Sequence, residues 1–277
     1  MLLRLASQEE IDFYHEVIYP LQDRIILAIT EEFGELFYLS GSAALSRFYL
    51  QHRLSDDAEL FTPEARIDRA FPKIVELIER LGYKVYTETQ GAFFCRLSIS
   101  TGPTVLKLDI ATEKPLKPPT VSPQGFFLDR FESIAVNKLI AFEDRAHMKD
   151  LIDLYFIISG GMPLEELLTK AEEKRVIVPY EELLTINQQG LAGGALLLKS
   201  VSEESLFAFL EEVKRTLSEY IKKKAQEISS DIDHYIKALL WDLPPEERKV
   251  SSLTLKLLKE RMKKLQLPVR IALEKVI

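Results

Sequence analysis

The sequence predicts an α+β fold, a mixed β-sheet with flanking helices followed by a mostly α-helical C-terminal half. Two observations carry this. Short runs of alternating apolar and polar residues, bounded by turn residues, crowd into the first 112 positions, whereas from about residue 131 onward the apolar spacing is helical almost throughout. A sheet that is built early and followed by helices is the α+β arrangement.

The elements follow in order. Residues 8–33 read as helix, with Ile11, Tyr14, Val17, Ile18, Ile25, Ile26 and Ile29 on one face and a break at Pro20. A short apolar run, 36–40, enters Gly41-Ser42 and then a helix over 43–51. The alternation over 56–62 reads as a strand, and 67–80 as an amphipathic helix ending at Gly82. Three strands are expected at 83–89, 92–100 and 105–112, separated by Gln90-Gly91 and Thr101-Gly102-Pro103. The Pro-rich stretch 114–123 reads as a loop, and Gly193-Gly194 as a helix turn or a close helix packing. Pro244-Pro245 breaks the pattern before helices over 253–265 and 269–276. The expected division is an α/β domain over 1–125, a helical domain over 126–242 and a basic helical appendage over 243–277.

Bulk composition narrows the class. The chain has 277 residues, 47% hydrophobic and 29% charged, with a net charge of -7, which excludes a disordered chain or a fibrous repeat. One cysteine, Cys95, excludes an intrachain disulfide and a multi-cysteine zinc site, so a reducing cytoplasm is expected. No stretch of about 18 apolar residues is present, so no membrane association is expected. Nine Lys and Arg against four Glu fall in 243–277, a basic arm on an acidic body. Without interleaved aromatics it reads first as the solvated face of an amphipathic helix.

The residues that can carry chemistry lie mainly between 37 and 62. A strand entering Gly41-Ser42 and then a helix places backbone N–H groups and the Ser42 hydroxyl where a phosphate is favoured. On the next strand Asp57 and Glu59 are two apart and share a face, an arrangement that calls for a cation between them. Magnesium, which takes one or two carboxylates plus nucleotide phosphates, suits that pair. Asp109 shares a strand face with Lys107 and would add a third acid, as phosphoryl or nucleotidyl transfer on two metals requires. The same acids also read as solvated residues of an exposed sheet face, with Asp109 paired to Lys107 or to a cation on the next strand.

The segment 37–62 resembles the DNA polymerase β-like nucleotidyltransferase superfamily, whose signature is a Gly-Ser turn, a helix and Asp-x-Asp. Within it the chain is similar to the AbiEii/AbiGii-type toxin nucleotidyltransferases: His52, Arg53, Ser55, Asp57, Glu59 and Phe61 fill one motif. Lys138, Ala141, Arg145, Asp150, Asp153, Leu154 and Tyr155 fill a second, with Lys149 where Arg is commoner, while in the first motif Glu59 stands where Asp is usual. The resemblance covers roughly 30–225.

It implies a toxin of a toxin-antitoxin system that transfers a nucleoside monophosphate from a nucleoside triphosphate, with Mg2+ or Mn2+, to an acceptor such as tRNA or another RNA. A cognate antitoxin is the implied protein partner. Asp57, Glu59 and Asp109 would hold the metals, with Asp109 also helping to deprotonate the acceptor. Gly41, Ser42, Arg53, Ser55, Lys138 and Arg145 would bind the nucleotide, and Asp150 would orient Lys138 or the acceptor. The alternative is a catalytically impaired module of the same fold that binds a nucleotide or a partner. Use of water as the acceptor would instead give hydrolysis. His15, His52, His147 and His234 show no metal-ligand spacing, Cys95 reads as a buried apolar residue, and Lys222-Lys223-Lys224 reads as a helix end.

Overall fold

The computed structural model of the chain describes residues 3–64, 67–102, 104–174, 178, 180–229 and 259–274. Strand β1 (Leu3–Leu5) leads to α1 (Gln8–Phe13), where Ser7 and Glu10 form a reciprocal capping box. A π-helical turn, Tyr14–Ile18, then runs into α2 (Tyr19–Phe33). Pro20 therefore bends nothing apart: it sits in the first turn of α2, directly after the widened turn, where a missing N–H is tolerated.

The main sheet grows from β2 (Tyr38–Ser40) and β3 (Ala58–Thr62), which are joined by α3 (Gly41–Ala44) and a π-helical turn, Leu45–Leu50. After α4 (Phe71–Arg80) come β4 (Lys84–Gln90), β5 (Phe94–Ser100) and β6 (Val105–Thr112), close to the expected meander. Two pieces of this sheet were not foreseen. The Pro-rich stretch contains β7 (Thr120–Val121), and β8 (Phe127–Leu128) lies just past it. The strand order is β4-β5-β6-β3-β2-β8-β7, with β6/β3 and β2/β8 parallel and the other neighbours antiparallel.

Alternation decides which face does what. Ala58, Leu60, Cys95, Leu97, Ile99, Leu106, Leu108 and Ile110 are buried in the core, as the period of two requires. Glu59, Arg96 and Asp109 take the intervening positions and stay partly exposed on the other face.

The second half is built from α5 (Phe131–Arg145), α6 (Met148–Ser159), α7 (Leu164–Glu173), α8 (Tyr180–Thr185) and α9 (Glu203–Ser229). Helix α5 packs on α6 and α7, and α9 on α6, α7 and α8. One apolar core runs without interruption from the sheet into these helices. Gly193-Gly194 is not a helix turn. It feeds β9 (Ala195–Leu197), which pairs in parallel with β1, and Gly193 has φ +78° with an ideal Cβ only 2.1 Å from the His147 ring. Such a backbone with no room for a side chain is open to glycine alone.

Pro244-Pro245, together with 253–258 and 275–276 of the two expected tail helices, lies outside the described residues. The described part of the tail includes α10 (Leu267–Glu274), which packs against α9 and buries Pro268, Ala272 and Leu273. Lys222–Lys224 fall inside α9 rather than at its end, and Lys224 pairs with Glu172 at 3.1 Å.

Candidate functional site

The site begins at the end of β2. Ser40 leads into Gly41, whose φ of +60° turns the chain sharply into α3 and directs the Ser42 N–H outward. An ideal Cβ on Gly41 would lie 1.5 Å from Glu59 Oε2, so glycine is required for space as well as for conformation. Glu59 Oε2 accepts a hydrogen bond from the Ser42 amide at 2.6 Å. The extra methylene of this glutamate is what lets a residue on β3 reach back over the turn.

Behind the turn lies a buried ionic cluster. Arg53 donates from Nε and Nη2 to both oxygens of Asp153, at 2.7 and 2.8 Å, and Lys138 Nζ is 2.9 Å from Asp153 Oδ2. His52 Nε2 lies 2.7 Å from Asp153 Oδ1, which makes Nε2 the protonated nitrogen. Burial alone would raise the Asp153 carboxyl, but Arg53 and Lys138, with the hydrogen bonds from His52 and Arg53, hold it well below the usual carboxylate range. Burial also pushes the His52 imidazole below its ordinary value, with Arg53 and Lys138 adding to the shift and Asp153 opposing it.

The cluster converges on one hydroxyl. Ser42 Oγ accepts from Lys138 Nζ at 2.6 Å and from Arg53 Nη2 at 2.9 Å. Lys138 and Arg145 both lie on α5 but divide their work. Lys138 is buried among Ser42, Asp153 and Asp150, while Arg145 is half-exposed and donates to Asp150 at 2.8 Å. Asp150, in the first turn of α6, is buried between those two cations.

These groups open on one cleft of about 190 Å3, whose walls include Ser42, Arg53, Ser55, Asp57, Glu59 and Asp109 from the first half of the chain and Arg145 and Asp150 from the second. Gly41 and Lys138 stand directly behind it through Glu59 and Ser42. The same cleft holds Asp56, Arg96, His147 and Lys149, to which the sequence reading gave no role. Arg96 had a visible signal, since strand alternation puts it on the same face as Asp109. Asp153 was named in the second motif, three positions after Asp150, but without the cluster it centres. A roomier cavity of about 400 Å3 beside His15, Tyr19 and Phe48 lies apart from the cluster, and its Arg47 is already paired with Asp23 at 2.6 Å.

The acids are not equivalent. Asp57 stands just before β3 rather than within it, forms no hydrogen bond or ion pair among the described residues, and is exposed at its surface. Burial against the cleft wall, with the like charge of Asp56, nevertheless pushes its carboxyl above the ordinary value. The shift is compatible with that exposure because the wall desolvates the carboxylate from one side only. Glu59 and Asp109 are register partners on β3 and β6, and Arg96 is the partner of Asp109 on β5. Arg96 takes both Asp109 oxygens, Nε to Oδ1 at 2.6 Å and Nη2 to Oδ2 at 2.7 Å.

The donor set therefore fits one divalent cation better than two. Asp57 and the second oxygen of Glu59 offer the one or two hard carboxylates that magnesium takes alongside substrate phosphates. Asp109 is occupied by a guanidinium. Among the described residues no group of three or more His, Cys, Asp or Glu side chains is arranged to hold a metal by itself.

A mixed sheet with a Gly-Ser turn, acids on the adjoining strands and a lysine brought in by a following helix defines a nucleotidyltransferase-type protein. Residues 24–238 match the family described as nucleotidyl transferase AbiEii toxin, type IV TA system, and the chain belongs to that family. The fold is similar to that of MenT4, a nucleotidyltransferase toxin of Mycobacterium tuberculosis H37Rv, at 15% identity and a TM-score of 0.52, covering 90% of this chain and 92% of that one. A putative nucleotidyltransferase from H. pylori is similar at 20% identity and a TM-score of 0.49, covering 77% of this chain and 98% of that one. No curated protein matches the sequence.

Proposed function

We propose that this chain uses a divalent metal, Mg2+ or Mn2+, to transfer a nucleoside monophosphate from a nucleoside triphosphate to a hydroxyl of an RNA acceptor, with tRNA the first to test. One observation carries the reading: Lys138 of the second motif donates to Ser42 of the first across 96 positions, so two distant motifs meet at a single cleft. We assign the α/β domain, 1–125, and the helical domain, 126–242, to the two walls of that cleft, and 243–277 to an appendage. The protein would act in the cytoplasm as the toxin held in check by a cognate antitoxin. No helix among the described residues is long and apolar enough to cross a membrane.

Each side chain then has a task. Ser42 and Arg145 would grip the terminal phosphates, with the buried Arg53 and Lys138 holding the Ser42 hydroxyl and adding positive charge behind it, Gly41 letting the backbone approach and Ser55 shaping the wall. Asp150 would hold Lys138 and Arg145 in place. Asp57 and Glu59 would bind the divalent ion, which supplies charge neutralisation at the phosphates. The acceptor oxygen forms a bond to the α-phosphorus as the bond to the α,β-bridging oxygen breaks; pyrophosphate departs with that electron pair, and the hydroxyl proton leaves to water at the open side of the cleft.

Incubation with each α-labelled nucleoside triphosphate, Mg2+ or Mn2+ and total RNA tests the reading. Label is expected in RNA and is expected to be lost in Asp57→Ala. A second reading has its own observation, since Glu59 lies on the Ser42 amide that a phosphate would use. Nucleotide binding with no turnover by any nucleotide or metal would establish that impaired binding module in place of the transferase.

A further inference from the structure

We propose that Arg96 is the second cation of this site: the cleft takes a single divalent ion on Asp57 and Glu59, and the guanidinium anchored on Asp109 stands where a second ion would otherwise sit. The inference rests on the transferase reading above and names how its charge is balanced.

The sheet register supplies the geometry. Ser40, Glu59, Asp109 and Arg96 are successive register partners across β2, β3, β6 and β5, so one row of the sheet runs from the phosphate turn to the guanidinium. Glu59 and Asp109, neighbours on a parallel ladder, repel each other unless a cation compensates. The chain provides that cation itself. Arg96 engages both Asp109 oxygens at 2.6 and 2.7 Å, a planar two-point contact that an arginine makes and a lysine cannot.

Arg96 also faces the reaction space. Its side chain is 40% exposed, it lines the same cleft as Ser42 and Asp57, and its guanidinium carbon lies 5.4 Å from the Phe94 ring centroid, a second contact that orients the group. The two bonds to Asp109 use Nε and one N–H of Nη2, leaving three of the five N–H donors for a phosphate oxygen. A divalent ion on Asp109 would have to displace two charge-assisted hydrogen bonds and sit against a fixed positive charge.

The number of Mn2+ ions bound per chain, counted by electron paramagnetic resonance during titration with Mn2+ alone, tests the proposal. The expected result is one ion in the unaltered protein, one in Arg96→Lys, which keeps the charge, and two in Arg96→Gln, where Asp109 is released. Two ions in the unaltered protein would overturn the proposal and leave metal-dependent transfer standing. One ion in both the unaltered protein and Arg96→Gln would overturn it as well, since removing the guanidinium would have freed no site. No ion in any of the three proteins would overturn it together with the metal-dependent reading on which it rests. Thermal unfolding of each variant confirms that the count is made on folded protein, and Arg96→Met, which also removes the charge, takes the place of Arg96→Gln, with the same two-ion expectation, if that variant fails to fold.

Discussion

At Gly41 the backbone conformation and the Glu59 carboxylate both exclude a side chain, with φ at +60° and only 1.5 Å between an ideal Cβ and Glu59 Oε2. Replacement by alanine in a left-handed conformation costs about 1 to 2 kcal/mol. It also pushes Glu59 off the turn. Gly41→Ala is therefore expected to lower the urea midpoint and to reduce transfer at least about tenfold, the factor that 1.4 kcal/mol represents; an unchanged midpoint would show that the turn can relax. His52 gives a residue-scale test in pH. The unfolded imidazole titrates near about 6.5, and the buried one below that. Between those values the unfolded state binds more protons, so the contribution of His52 to stability is intact above about pH 6.5 and is lost as pH falls toward the folded value. Asp129 acts in the opposite sense, since burial raises its carboxyl to about 6, so its contribution is lost as pH rises through that value. The difference in urea midpoint between the unaltered protein and His52→Gln should consequently shrink as pH falls from 7.5 to 5, values chosen to bracket the free imidazole at about 6.5.

The elements show which parts of the sequence speak locally. Strands β3, β5 and β6 were legible because each alternates cleanly, with Leu60, Leu97 and Leu108 inward and Glu59, Arg96 and Asp109 outward. Strands β1 and β9, three residues each, were not, because so short a run has no period to read and their pairing joins Leu3 to Ala195. The Arg96 pairing was hidden for a related reason: its face could be read but the register of β5 on β6 could not, and register decides which acid meets the guanidinium. At the turn, Gly41-Ser42 and the acids after it were recognisable as residue types. That Glu59 would close on the Ser42 amide was not, because it depends on the approach of β3 to β2. Helix α10 offers a test at this scale. Leu273 is fully buried where α10 meets α9, so Leu273→Ala should cost about 2 to 5 kcal/mol in urea unfolding. A negligible loss would mean that α10 does not remain docked on α9.

Across the whole molecule, an acidic body of net charge -12 over residues 1–242 carries a tail of net charge +5, and part of that tail is committed to packing on α9. The continuous core joins the sheet to α5 and α6, and the buried ionic cluster of Arg53, Lys138 and Asp153 ties the same elements together beside it. That continuity lets a lysine buried in a helix hold a hydroxyl at a strand end to within hydrogen-bonding distance, the preorganisation that charge stabilisation in phosphoryl chemistry depends on. A cleft that joins a nucleotide to an acceptor must release pyrophosphate in step with incorporation. The most direct measurement counts pyrophosphate released against labelled nucleotide incorporated into RNA, for the unaltered protein and for Asp57→Ala. One pyrophosphate is expected for each nucleotide incorporated, and neither product in Asp57→Ala. Release of pyrophosphate or orthophosphate with no label in RNA, or incorporation that persists in Asp57→Ala, would contradict it.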